Sequence, residues 1–366
     1  MARLVILDEG LRSPNGAERT ICVDALGRML TDGHFTRTGG VEQIGSAEAM
    51  QDWRPRTYRE VWDFYRAAMS RLTTIATSND VHAETARSHL AAHIRGLLSH
   101  LPVAEIRAMI EAVTSHSGFW PEAITAVSDW LYFDRSKGAP DERAREVRQL
   151  YSDLLPADPI ELAVLYTHGW QTDLHDPDTN YAREHRAKHD FEYSMRQAIA
   201  IADTIAQDKT LTRRAVERMV CKEAHGISVF TNASMRKVAD PKAVFNHALA
   251  MVEASPGEPN RGFLGGLVSD VHERDPALGK SLVKQALKSP KLRSHAIAII
   301  GSGSLESDEI SMVISLLQSR DIQPWECQNL GLSRADVKAL MPLLSELENH
   351  GADGLWTILD IIDMYL

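Results

Sequence analysis

Apolar positions along this chain recur mostly at three- and four-residue intervals, the period of an amphipathic helix, and the clearest pattern lies between 240 and 301. Two segments there are built alike. Each opens with Asp-Pro (Asp240-Pro241, Asp275-Pro276), runs through an apolar-periodic stretch and breaks at Ser-Pro (Ser255-Pro256, Ser289-Pro290). The Asp-Pro pairs lie 35 residues apart and the Ser-Pro pairs 34. Asp caps a helix, Pro suits its first turn, and the residue before the second Pro is pushed out of the helical region, so these marks delimit one helix each. At the same offset Ala243 corresponds to Leu278, Ala248 to Val283, Met251 to Ala286 and Val252 to Leu287. A second apolar segment follows each break, with Leu264, Leu267, Val268 and Val271 in the first copy and Leu292, Ala296, Ile299 and Ile300 in the second. Helix, break, helix near this length predicts an α-solenoid, whose units stack because none can bury its apolar face alone.

The rest of the chain repeats the alternation more loosely. Its opening run, Leu4-Val5-Ile6-Leu7, predicts a short strand, the severed edge of something larger. Ile21, Ala25, Leu26 and Met29 predict a helix from Ala17 to about Asp32, ended by Gly33. Residues 34–55, rich in Gly, Thr and Gln, read as a long loop. Thr57 and Glu60 have the spacing of a capping box, and Val61, Phe64, Tyr65, Ala68 and Leu72 follow on one face. Further helices are predicted at about Val81–Leu98, Pro102–Thr114, Pro121–Phe133 and Asp141–Leu155, with Gly118 and Gly138 as stops.

A polar break between His168 and Asn180 marks an internal boundary. A long helix follows, Thr179 to Gln207, charged in its first half and apolar in its second, and another at Thr212–His225 leads to the repeats. Beyond them Ile310, Val313, Ile314 and Leu317 form one stripe, and Val337, Leu340, Met341 and Leu344, capped by Ser333, form another. The last segment, Asp353–Leu366, carries Leu355, Ile358, Leu359 and Ile362 on one side, and must either pack back on its neighbour or meet a partner. The expected organisation is an N-terminal helix and loop at 1–55, N-terminal helical repeats at 56–168, a linker and long charged helix at 169–239, and C-terminal repeats at 240–366.

Composition narrows the function classes. A chain of 366 residues can hold several domains or one elongated array with a continuous core. The net charge of −10 weighs against general nucleic-acid binding, which needs a basic surface to displace counterions. Cys22, Cys221 and Cys327 are odd in number and widely spaced, so neither a disulfide framework nor a zinc ribbon is indicated, and a reducing cytoplasm fits best. No apolar run is long enough to span a membrane, and the opening residues are too short and too soon charged for a signal peptide. The expectation is a cytoplasmic protein with no membrane partner.

Candidate chemistry is sparse. His89 and His93 are four apart on a helix, as are His185 and His189, a spacing at which two imidazoles can share a metal, although neither pair has the intervening Glu of a zincin. His189-Asp190 is similar to the His-Asp dipeptide of metal-dependent phosphohydrolases, with His168, Asp203 and Asp208 as further candidate ligands. A metal-dependent helical hydrolase centred on His185, His189 and Asp190 is therefore one alternative; the plain reading of the charge run Glu184–Glu192 is a solvated face. Gly301-Ser302-Gly303-Ser304 lacks the Gly-Lys-Ser/Thr ending of a phosphate loop, and Gly265-Gly266 reads as a point of close helix approach. The more ordered feature is Lys280, Lys284, Lys288 and Lys291, a basic stripe that could receive an acidic peptide or, in a second alternative, a phosphate backbone. The tryptophans read as packing residues.

With the Asp-Pro repeats, the segments Gly257-Glu258-Pro259-Asn260-Arg261 and Phe263-Leu264-Gly265-Gly266-Leu267, and the charged-to-apolar helix before them, the last half of the chain resembles the degenerate HEAT-like helical-repeat regions of large bacterial multidomain proteins. Those regions often follow a nucleotide-hydrolysing or effector module. The resemblance implies an all-α fold, an irregular HEAT-like α-solenoid of stacked antiparallel helix pairs. It also implies a non-enzymatic scaffold or sensor that binds a partner protein, part of a larger bacterial (defence-type) system, with no cofactor and no catalytic residues to transfer.

Overall fold

A computed structural model of the chain describes residues 2–31, 55–135, 141–169, 174–179, 192–221, 227–293, 295–301, 305–330 and 337–365. Among them every regular element is a helix and no strand is present. The chain forms two compact units, Met1–Leu155 with His175–Asp190, and Pro156–Leu174 with Phe191–Leu366.

In the first unit the opening run is a helix, α1 (Ala2–Leu11), not a strand. An isolated strand leaves its amides and carbonyls bare, whereas a helix satisfies them within the segment. Leu4 is buried while Val5 and Ile6 stay exposed, and α1 is held by a bidentate pair in which Arg71 Nε and Nη2 donate to Asp8 at 2.6 and 2.7 Å. That hydrogen bond keeps the Asp8 carboxyl below its ordinary value of 3.8. A depressed folded pKa contributes stability that is complete above the ordinary value and lost as pH falls through the folded one. Arg71→Gln is therefore expected to speed amide exchange across α1 about two- to fivefold at neutral pH, a difference that vanishes in acid, by hydrogen-exchange mass spectrometry.

The remaining helices of this unit are α2 (Gly16–Arg28), α3 (Tyr58–Ala76), α4 (Ala83–His100), α5 (Val103–Ser117), α6 (Pro121–Asp129), continued by a π-helical turn at Trp130–Asp134, and α7 (Asp141–Leu154). Their ends follow local chemistry. Thr57 Oγ1 accepts the Glu60 amide, while the Glu60 carboxylate reaches back one residue further than a capping box requires, to the Arg56 amide. Gly118 closes α5 at φ 80°, a left-handed conformation that suits glycine. Helices pack on their second neighbours: α2 on α4 and α4 on α6 in one row, α3 on α5 and α5 on α7 in the other. Polar side-chain bridges cross both rows: the ion pairs Arg66–Glu105 and Arg107–Asp153 in one, and the Arg95–Asp134 ion pair with the His89–Asp24 hydrogen bond in the other. The α2 face is turned by one residue from expectation. Cys22, Val23, Leu26 and Leu30 are buried and Ile21 is exposed, because Gly27 must face the His89 ring, where a side chain would collide.

The second unit contains α8 (Pro159–His168), α9 (Tyr193–Ala206), α10 (Lys209–Met219), α11 (Ile227–Lys237), α12 (Pro241–Ala254), α13 (Arg261–Arg274), α14 (Pro276–Ala286), α15 (Pro290–Arg293), α16 (Ala296–Ile300), α17 (Ser307–Gln318), a 3-10 turn at Pro324–Asn329, α18 (Val337–Glu348) and α19 (Gly351–Tyr365). The two Asp-Pro marks start helices with matching caps. Asp240 accepts the Ala243 amide at 2.9 Å and Asp275 the Leu278 amide at 3.0 Å, with near-identical backbone angles. Asp158-Pro159 starts α8 with the same residues, its carboxylate accepting the Ile160 amide. The second Ser-Pro differs from expectation: α14 ends at Ala286, and Pro290 begins the short α15.

Second-neighbour packing recurs here. One row runs α9, α11, α13, α16 and the 3-10 turn, and another runs α10, α12 and α14. One continuous core links them, from Ile160 through Phe230, Phe245 and Phe263 to Ile361. The first repeat's second helix buries Leu264, Leu267, Val268 and Val271, and the corresponding Leu292, Ala296, Ile299 and Ile300 are buried across α15 and α16.

Candidate functional site

The last helix presents the most unusual surface. Gly351 opens α19 at φ 67°, and Gly354 lies so close to α18 that a Cβ there would collide with the Leu347 carbonyl. This close approach selects which side of α19 turns inward: Gly354, Thr357 and Ile361 are buried, with Ile358 partly so. At 100° per residue these positions share one face. The stronger apolar stripe therefore faces outward, leaving Leu355 53%, Trp356 67%, Leu359 56% and Ile362 39% exposed. One flank of that stripe carries Asp353, Asp360 and Asp363, all exposed, and α19 has no Lys or Arg. On the preceding α18 the inward face is Leu340, Leu343 and Leu347, and Met341, expected inside, is 55% exposed. Of the tryptophans, all expected to pack between helices, Trp120 and Trp130 are buried, whereas Trp325 and Trp356 are exposed.

The basic stripe divides into two engaged and two open lysines. Lys280 Nζ donates to Glu306 at 2.7 Å and stands 3.7 Å from Glu309, which pushes its pKa up. Lys291 Nζ donates to the carbonyls of Val252, Glu253 and Ser255, and so caps the C-terminal end of α12 where the helix dipole favours a cation. Lys284 and Lys288 are exposed, and their side chains make no ion pair or hydrogen bond among the described residues.

At the end of α17, Arg320 adopts φ 60°, the one positive φ outside glycine among the described residues. It occupies the C′ position of a Schellman turn, in which the Asp321 amide donates to Leu316 O at 3.0 Å and the Arg320 amide to Leu317 O at 3.1 Å. Its side chain lines a polar cleft of about 480 Å³ with Gln323, Asn349 and His350. Arg320→Gly is expected to stabilise the protein by about 0.5–1 kcal/mol, read as a higher midpoint in urea, because glycine carries no Cβ penalty there.

The metal candidates are placed unequally. His185, His189 and Asp190 lie outside the described residues. Asp208 is the N-cap of α10, accepting the Thr210 and Leu211 amides. His89 Nε2 lies 2.9 Å from Asp24 and its ring packs on Gly27. Among the described residues no group of three or more His, Cys, Asp or Glu stands close enough to hold a metal ion. Cys327 is fully buried and its thiol is pushed up to about 12 by desolvation, so it stays protonated. Among the described residues, no helix is long and apolar enough to cross a membrane. Compared with known proteins, the chain matches no family model, no curated protein and no solved structure.

Proposed function

We propose that the chain is a non-enzymatic helical-repeat scaffold or sensor that binds a partner protein through the outward face of α19. The observation that carries this is the inverted helix: its larger apolar stripe, Leu355, Trp356, Leu359 and Ile362, is left in solvent while a weaker side packs inward. Contiguous exposed apolar surface of this kind marks a protein interface more often than a neutral surface. The occupant it suits is an amphipathic helix, whose apolar anchors at i, i+3 or i+4 and i+7 match the spacing of the stripe. Asp353, Asp360 and Asp363 on one flank call for Lys or Arg beside those anchors.

An irregular solenoid of HEAT-like helix pairs is the architecture in which such a surface makes sense. Its support is the second-neighbour packing in both units, together with polar bridges at recurring sequence separations: 39 for Arg66–Glu105 and Arg95–Asp134, 34 for Arg236–Asp270 and Arg261–His295, and 39 for Gln285–Asn246. Contacts that recur once per repeat are what a stacked array produces.

The test is affinity capture from the native lysate with the wild-type chain and a Trp356→Asp, Leu359→Asp double variant. Partner recovery is expected to be lost in the variant, with an unchanged circular dichroism spectrum, and to be competed away by a lysine-flanked amphipathic peptide. The same proteins recovered by both chains, without competition, would refute the reading.

A further inference from the structure

A cleft of about 410 Å³ opens among the ends of α9 and α11 and the first turns of α10 and α12, apart from the α19 surface. Its walls are apolar: Val216 and Val238 are buried core residues that also line it, joined by Ala243 and Val244. Its charged lining is mostly cationic. Lys209 and Lys237 are exposed, and their side chains make no ion pair or hydrogen bond among the described residues. Arg213 is matched by Glu217 at 2.8 Å, and the Asp240 carboxylate accepts the Ala243 amide as the cap of α12. His247 Nε2 is buried in the wall, 3.4 Å from Glu217 Oε1. The first turns of α10 and α12 line the cleft, each capped by its own carboxylate, Asp208 and Asp240.

We propose that this cleft binds a small amphipathic anion: an acyl or alkyl chain ending in a single carboxylate or phosphate. The volume lies within the ordinary range of small-molecule sites, which are largely apolar with a few placed polar groups. A wholly apolar ligand would leave the two lysines of the lining unused. A small polar anion would leave the valine walls wet. A ligand with both parts buries its chain against Val216, Val238 and Val244 and sets its head group between Lys209 and Lys237.

Isothermal titration of the full chain with decanoate and decyl phosphate, below their micellar concentrations, tests this. Each is expected to bind once per chain, with decanol at least tenfold weaker, and acetate and inorganic phosphate showing no binding. Lys209→Glu with Lys237→Glu is expected to weaken decanoate at least tenfold while leaving decanol unchanged, and Ala243→Phe, at an exposed position on the cleft wall, to abolish both. If decanol binds as tightly as decanoate, if the lysine variant binds decanoate normally, or if several molecules bind per chain, the proposal fails. The lysines lie on the surface, so their substitution leaves the fold intact and the result readable. Failure here leaves the α19 reading untouched, since no residue is shared.

Discussion

Gly266→Leu is expected to destabilise the second unit by about 3 kcal/mol, the upper end of the usual cost of overpacking. The seam between α11 and α13 is a close helix contact, made by absence of side chains. A Cβ at Gly266 would lie 2.7 Å from the Ser228 carbonyl oxygen and would also strike the Thr231 hydroxyl. That hydroxyl can turn away, but it is already spent on the Ile227 carbonyl at 3.1 Å, and the Ser228 backbone cannot move without unpacking α11. One turn earlier a Cβ at Gly262 would reach Ile227 Cγ2 at 3.0 Å, so the helices have no room to slide along the seam. Gly266→Ala should cost about 1–2 kcal/mol, less than leucine. Urea unfolding followed by circular dichroism, with amide exchange in α11 and α13 to locate the loss, reads both. A change below about 0.5 kcal/mol for leucine would mean that the two helices are not in this contact.

Asp270→Ala is the second large effect, with an expected loss of about 2 kcal/mol. The carboxylate is only 3% exposed and accepts from Arg236 Nε at 2.9 Å and Arg274 Nε at 2.7 Å, while Arg274 Nη2 donates onward to the Met235 carbonyl at 2.6 Å. The network thus ties the C-terminal ends of α11 and α13 together. Removing one partner of a fully buried pair costs about 3–5 kcal/mol, because it strands the other charge. Here the two guanidiniums, 57% and 47% exposed, recover water, which reduces the cost. Asp270→Asn, which keeps the shape and one acceptor, should lose about half as much by the same urea measurement.

Helix identity and helix ends were legible in the sequence wherever local chemistry determines them. Asp240-Pro241 and Asp275-Pro276 begin helices because cap and first turn are decided within four residues. The same signal at Asp158-Pro159 was readable and marks α8, a helix not expected there. What periodicity could not supply was the face. On α19, four large apolar residues point outward because Gly354 permits an approach to Leu347 that a larger residue forbids, and the close approach decides the rotation. On α2 the same kind of contact, Gly27 against His89, rotates Ile21 into solvent. Helix α11 was missed since its inner face includes Thr231, Ala233 and Ser234, small residues that bury well but carry little hydrophobic signal. The cleft flanked by Lys209 and Lys237 joins residues from separate helices, and no spacing along the chain announces it.

The central claim is that the α19 stripe receives an amphipathic helix with a basic flank, and Trp356 reports on it directly. The residue is 67% exposed, so docking would move it from water into an apolar contact. The measurement is the emission of the wild-type chain minus that of Trp356→Phe during titration with a helical peptide of leucine anchors flanked by lysine, and with its glutamate-flanked counterpart. A saturable blue shift with the lysine peptide, at least tenfold weaker with the glutamate peptide and absent in Leu359→Asp, is the predicted result. An emission unchanged by either peptide, or a shift that depends only on the protein's own concentration, would contradict the claim.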